Sequence, residues 1–281
     1  MAVTTQNRAI RAARPARRRG PAWGAKWFAM TFGLLIILLG AWQLAATINP
    51  SSFIPSPAQI GSTFWRQFVA GGVGAMSPAD AWFGQALPTI GRALAGLALG
   101  SLAGILIGVL TGLSRVARYS SNWVLEFLRA VPPSAVLPLF IVALGGGDWM
   151  RVAFIAYGIS LYVQINTANG VSSVDPTLVM MGRSFRLSRA QIVWRIVLPA
   201  AQPQIWAGLR IATIGATILA IVSEFFNATN GIGYQIQWNV GRFNMQGMWA
   251  WVMFLALFGL LLNLTIEGVE RRVLRWHRNS H

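Results

Sequence analysis

Cysteine is missing from all 281 residues, so no disulfide, thiolate metal site or cysteine nucleophile exists in this chain. Acid is scarce. Seven Asp and Glu stand against 23 Lys and Arg, and all but one of those bases are arginine. The two histidines, His277 and His281, both fall in the last five residues. That is too few for a metal site and too remote for a Ser/His/Asp set. No GxxxxGK[ST] phosphate loop occurs, so the chain is not itself an ATPase. A membrane enzyme would need His, Asp or Glu clustered near one face, and too few are present. The expectation is a non-enzyme with no catalytic, cofactor-binding or metal residues of its own. Charge is short overall: 11% of residues, against about 25% in soluble domains. With 55% hydrophobic residues, the composition points to lipid as the solvent.

Long apolar runs are what the chain does have. A spanning helix needs about 20 such residues. Six candidates lie at about 26–47, 88–113, 121–145, 151–170, 200–224 and 247–266, the third interrupted by "VPPSAVLP". Gly91, Ala95, Gly100, Gly104 and Gly108 in the second would allow close helix contact. Six spans place both termini on one side, and arginine says which. With the N-terminus inside, seventeen basic residues face the cytosol and three (Arg66, Arg151, Arg242) face outward. Such blocks set topology and are not a nucleic-acid surface, so no nucleic-acid partner is expected. The domain reading is a basic cytosolic tail without fixed structure at 1–25, a transmembrane domain at 26–270 and a cytosolic tail at 271–281. The first apolar run is long enough to span and lacks a small-residue cleavage site, so it is read as retained.

Residues 48–87 then lie outside. Ser56-Pro57 caps a short helix carrying Ile60, Phe64 and Phe68, which rests either on the membrane surface or on the spans. Residues 71–87 read as loop. On the cytosolic side, "LVMMGRSFRLSRAQIVWRIVLPAAQPQI" spans 178–205. Asp175-Pro176 starts one helix as N-cap and N1. Ser188 with Gln191 forms a capping box that starts a second. Leu178, Met181, Phe185, Ile192, Val193 and Ile196 would lie under the spans, with the arginines facing the cytosol. Leu198-Pro199 turns the chain back.

This segment resembles the cytoplasmic coupling loop of permease subunits of binding-protein-dependent ABC importers. That loop reads Glu-Ala-Ala, three residues, Gly, nine residues, then Ile-x-Leu-Pro. Ile196, Leu198 and Pro199 match its end. Met180-Met181-Gly182 take the Glu-Ala-Ala place and Arg186 takes the Gly place, so the acid and the glycine are lost. The nitrate, sulfonate and taurine importers resemble it best, through "IPSPAQI", "GRALAGLALGSLAGILIGVLTGLSR", "LRAVPPSAVLPLFIVALG", "GLRIA" and "SEFFNATNGIGYQI" across about 30–275. The resemblance implies an all-α integral membrane protein of about six transmembrane helices with the type I ABC importer permease fold. Its place would be the bacterial cytoplasmic (inner) membrane, multi-pass. It implies a solute pathway shared with a second permease chain, as homodimer or heterodimer, and an extracytoplasmic solute-binding protein. ABC ATPase subunits would bind ATP and Mg and dock on loop 175–199, through Met180, Met181, Gly182, Arg183, Phe185, Arg186, Ser188, Arg189, Leu198 and Pro199. The solute would be small and anionic or polar.

Intramembrane charge needs a reason. Glu224 and Arg92 sit at similar depth on opposite-running helices, so they either pair or each reach the headgroups. Glu126 precedes Arg129 at i,i+3, a spacing that allows a pair; snorkelling to the interface is the other reading for Arg129 and the one taken for Arg210. Pro132, Pro133 and Pro138 break the third span, as a plain kink or as backbone lining a cavity. Candidate pathway or gating residues are Pro132, Pro133, Ser134, Gln164, Glu224 and Arg92. Most of the thirteen tryptophans would form an interface belt. The competing reading is a stand-alone secondary transporter or channel, which would usually show inverted repeats or a mid-span proton relay.

Overall fold

In a computed structural model, which describes residues 21–49, 53–71 and 76–275, every regular element among the described residues is helical. The chain divides into two compact units, 1–58 and 59–281. The first holds α1 (Pro21–Ile48), a 28-residue helix. Its side chains from Leu34 to Leu39 are all exposed, as lipid-facing residues would be. The basic tail falls at 1–20 outside the described residues, while 21–25 already belong to α1.

Next is α2 (Pro57–Trp65), which lies in the second unit from Gln59 on and is extended by a π-helical turn at Arg66–Ala70. Phe68 is buried against Trp82, Trp251 and Phe254, with ring centroids 6.3, 4.8 and 4.7 Å away. The short helix therefore packs on the bundle. Trp251 is fully buried and so departs from the expected belt. Residues 80–86, expected as loop, are instead a π-helical turn (Asp80–Ala86) leading into α3 (Leu87–Leu113).

Next come α4 (Arg115–Ala130) and α5 (Pro133–Leu144), which meet at 94°. The expected third span is thus an elbow rather than a kinked rod. Pro132 and Pro133 cause it: each lacks an N–H, and proline disfavours the helical conformation in the residue before it. Then follow α6 (Asp148–Ser172), α7 (Pro176–Ser184) and α8 (Arg189–Ile192), continued by a π-helical turn at Val193–Val197. The chain ends with α9 (Leu198–Glu224), α10 (Ile232–Gly241) and α11 (Met245–Val273).

Among the described residues three helical stretches, Asp80–Leu113, Arg189–Glu224 and Met245–Val273, are long and apolar enough to cross a bilayer, and the bent pair α4–α5 makes a fourth if it counts as one span, against the six expected. The 25-residue α6 has the length too, at about 37 Å. Its composition is diluted by Gln164, Asn166, Thr167 and Asn169. Gln164 and Thr167 are buried and Asn166 is half-buried, while Asn169 is exposed near the helix end.

The α3–α6 contact is close along most of α3. A Cβ placed on Gly96, Gly100, Gly104, Gly108 or Gly112 would lie 2.5–2.7 Å from Ile155, Ala156 O, Ser160 O, Thr167 or Val171 respectively. Small residues spaced by four let two backbones approach closely, which is how helices associate where the hydrophobic effect is silent. Gly91 and Ala95, expected in this row, face outward, and Gly96 and Gly112 take their place. Leu97, Leu137, Phe154, Ile159, Ala216 and Leu219 complete the core among α3, α5, α6 and α9.

Candidate functional site

Two assemblies mark opposite ends of this bundle. At the end where α3 and α6 begin and α9 finishes, charge is buried. Arg92 Nη1 donates to Glu224 Oε1 at 2.6 Å, and both side chains are buried. The pair expected from depth alone is therefore formed. It is part of something larger. Thr89 donates its hydroxyl proton to the Glu224 carboxylate, with Oε1 at 2.8 Å, and accepts from the Ile232 N–H at 2.8 Å. The Gly233 N–H donates to Glu224 Oε2 at 2.8 Å. Arg92 also reaches Asn230 Oδ1 (2.5 Å) and Asp148 Oδ1 (2.6 Å). Gln85 Oε1 accepts from the Gly231 N–H at 3.0 Å.

Gly231, at φ +117°, makes this possible, since a Cβ there would sit 2.4 Å from the Glu224 carboxyl carbon. Arg151, expected on an outer loop, is buried beside this cluster and donates to the carbonyls of Gly146 and Asn227 at 2.7 and 2.8 Å. Asp148 is the one acid here that faces outward, its side chain 71% exposed. Sequence reasoning found Arg92 and Glu224 but missed Thr89, Asp148, Arg151, Asn230 and the two glycines. The "NGIG" at 230–233 was the available signal, because glycine pairs bring backbone N–H groups close to an anion.

The other expected intramembrane pairings come out differently. Glu126 accepts from Asn122 at 2.6 Å, and no Glu126–Arg129 ion pair forms among the described residues. Arg210 pairs with Glu270 instead of only snorkelling. Gln164 is buried between α3 and α6, donating to Thr111 Oγ1 at 3.2 Å, so it lies inside a helix contact. Pro132, Pro133 and Ser134 form the α4–α5 elbow, where Ser134 is exposed and Pro133 abuts Gly158.

At the far end, α7 and α8 form a capped unit. The Asp175 carboxylate accepts from the Thr177 N–H at 2.8 Å, which holds its pKa below the ordinary value. The capping box at Ser188 and Gln191 is complete, with the Ser188 N–H donating to Gln191 Oε1 at 2.8 Å and the Gln191 N–H donating to Ser188 Oγ at 3.3 Å. Between them α7 ends in a Schellman motif: Leu187 N–H donates to Gly182 O (3.1 Å) and Arg186 N–H to Arg183 O (2.9 Å).

That motif needs a left-handed residue, and Arg186 supplies it at φ +53°. This is the position where the resembling loops carry glycine, so the turn is kept while the residue suited to it is lost. A left-handed L-residue is disfavoured by about 1–2 kcal/mol. Arg186→Gly is therefore expected to stabilise the turn by about 1 kcal/mol, net of glycine's extra unfolded-state freedom. Amide hydrogen exchange at Leu187 reads it: slower in the variant if the strain is real, faster if the arginine side chain holds the turn.

The second half of the loop packs as expected. Ile192 and Val197 are buried with Val171, Ala201 and Ile205, and Gly182 sits against Ile192 and Ile196. Leu198 and Pro199 are half-buried and open α9. The first half does not. Leu178, Met181 and Phe185, expected beneath the spans, are exposed with Met180, Phe185 at 75%. Arg183 and Arg189 are exposed beside them. Together these residues leave an apolar patch bordered by arginines at this end of the bundle.

Comparison with known proteins gives the family. Residues 100–275 match the family model described as "binding-protein-dependent transport system inner membrane component". TauC of Escherichia coli (strain K12), a taurine transport system permease protein, is 32% identical over 88% of this chain and 90% of its own. SsuC of Bacillus subtilis (strain 168), named for aliphatic sulfonate transport, is 30% identical over 92% and 91%. Among solved structures, an inward-facing form of the MetNI methionine ABC transporter superposes with a TM-score of 0.60 over 70% of this chain and 99% of that one, at 18% identity, which speaks for the fold. This chain accordingly belongs to the inner-membrane components of binding-protein-dependent transport systems, the permease subunits of ABC importers.

Proposed function

We propose that this permease subunit forms, with a second permease chain, the route for a small anionic or polar solute, and that loop 175–199 couples it to ATPase subunits that bind ATP and Mg. The observation that carries this is the α7–α8 unit. It is capped at both helix starts and wedged under α9, yet it leaves Met180, Met181 and Phe185 uncovered. A rigid unit with an uncovered apolar patch transmits a partner's movement better than a flexible loop. The cycle then runs as follows. ATP binding closes the ATPases, their loops move together, and the route switches from inward- to outward-facing. A solute-binding protein delivers solute from outside, and hydrolysis resets the state. The arginine distribution supports both termini in the cytosol. The solute class follows the taurine and sulfonate relatives.

Purifying the tagged chain from its native membrane in mild detergent tests the coupling. An ATPase is expected to co-elute, and to be lost from the peak in Phe185→Asp and in the double variant Arg183→Glu, Arg189→Glu. A second permease in the peak would assign a heterodimer. Solute uptake into ATP-free vesicles with no ATPase bound would replace this reading with a secondary transporter.

A further inference from the structure

The elbow of α4 and α5 carries a feature that topology does not explain. Pro133 abuts Gly158, ten residues into α6 and so about 15 Å from its start. The corner therefore sits at mid-bundle depth, and α4 climbs to it from the loop end of α3. No residue of α4 is buried. Half-buried Ala117, Ser121, Leu125 and Leu128, with half-buried Arg118 and Arg129 at their edge, give the side turned to the bundle, and Arg118 donates there to the carbonyls of Thr111 and Gly112. Val116, Tyr119, Trp123 and Phe127, spaced three, four and four, form an exposed apolar flank. Arg118, Asn122, Glu126 and Arg129, spaced four, four and three, form a polar one.

A polar flank at membrane depth cannot face hydrocarbon, so it borders protein or water. Arg129 lies one turn below the corner, too deep for its side chain to reach the loop end easily. The other deep arginines are all engaged: Arg92 with Glu224 and Asp148, Arg151 with carbonyls, Arg210 with Glu270. Among the described residues Arg129 forms no ion pair, and Glu126 is turned to Asn122.

We propose that the polar flank of α4 lines the water-filled part of the solute route, and that Arg129 is the cation there that meets the oxygens of a small oxyanion. This rests on the proposed transport role and names a contact within it. The apolar flank is left for lipid or the second permease chain. A free guanidinium at this depth attracts anions strongly because little solvent screens it.

Thiol reactivity tests this without knowing the solute or the ATPase. The chain has no cysteine, so Asn122→Cys, Glu126→Cys and Trp123→Cys each introduce its sole thiol. Each variant, in the intact membrane complex, is treated with an anionic sulfonate-bearing and a cationic trimethylammonium-bearing methanethiosulfonate. Asn122→Cys and Glu126→Cys should react about tenfold or more faster than Trp123→Cys, as a wet flank beside a dry one requires. The anionic reagent should lose about tenfold of its relative rate at Asn122→Cys when Arg129→Gln is added, the effect of one charge some 10 Å away. Millimolar taurine, as a probe oxyanion, should slow labelling only when Arg129 is present. Equal rates on both flanks would overturn the wet route. A reagent preference unchanged by Arg129→Gln, or taurine protection independent of Arg129, would overturn the assignment of Arg129. None of these readouts moves if only the ATPase coupling is wrong, so the two failures are separable.

Discussion

Glu224→Ala is expected to destabilise the folded chain by about 3–5 kcal/mol, because it leaves buried Arg92 without its buried acid and with only the exposed Asp148 as partner. The loss falls on several groups at once. Arg92 Nη1, the Thr89 hydroxyl and the Gly233 N–H all end on the Glu224 carboxylate. Proteins are typically stable by about 5–15 kcal/mol, so this takes much of the margin. Thermal unfolding of the purified chain in mild detergent would show it as a large fall in Tm or as failure to accumulate.

Glu224→Gln should fall between, since its Oε1 can still accept while its amide turns a donor toward other donors. The double exchange Arg92→Glu, Glu224→Arg should not restore the wild-type Tm. Position 224 is lined by hydrogen-bond donors, and Gly231 and Gly233 leave no room there for a larger group. Full rescue by the exchange would mean that only the two charges matter and the surrounding donors do not.

The second large effect lies in the α3–α6 seam. A Cβ on Gly104 would stand 2.7 Å from Ser160 O, a backbone atom that cannot swing aside. Gly104→Ala should cost about 1–3 kcal/mol by overpacking. Gly104→Leu should prevent folding, seen as no monodisperse peak after extraction. Gly91 supplies the control. It lies in the same helix with nothing within 4 Å of a built Cβ, so Gly91→Ala should be neutral or stabilising by up to about 1 kcal/mol. If Gly104→Ala behaves like Gly91→Ala, the helices are not held in this register.

Much of this was readable from residues because lipid and local capping act over short distances. Asp175-Pro176 and Ser188 with Gln191 placed the loop helices correctly, since a cap is written within four residues. Arg92 and Glu224 could be paired from depth, because the chain has so few acids. The glycine face was misjudged by starting it at Gly91. Two small-residue rows share α3, and only the position of α6 selects between them. Five glycines at a strict spacing of four, from 96 to 112, were the better signal. The Glu224 cradle was hidden because two of its donors, Thr89 and Arg92, come from α3 more than 130 residues away, and the third is the backbone N–H of Gly233. The outward turn of Leu178, Met181 and Phe185 contradicts an amphipathic rule that assumes the chain's own bundle is the only apolar surface to satisfy.

The glycine seam has a mechanical meaning as well. Two helices locked backbone to backbone over five successive turns cannot slide by a fraction of a turn, so they behave as a single stiff beam. One end of that beam leads directly into α7. The other carries Arg92, Asp148 and Arg151, about 37 Å away. On the proposed coupling, a push received at the loop would reach the charge cluster as rotation or tilt of one lever. The corner between Ala130 and Pro133, where α4 and α5 meet at 94°, lies outside that beam.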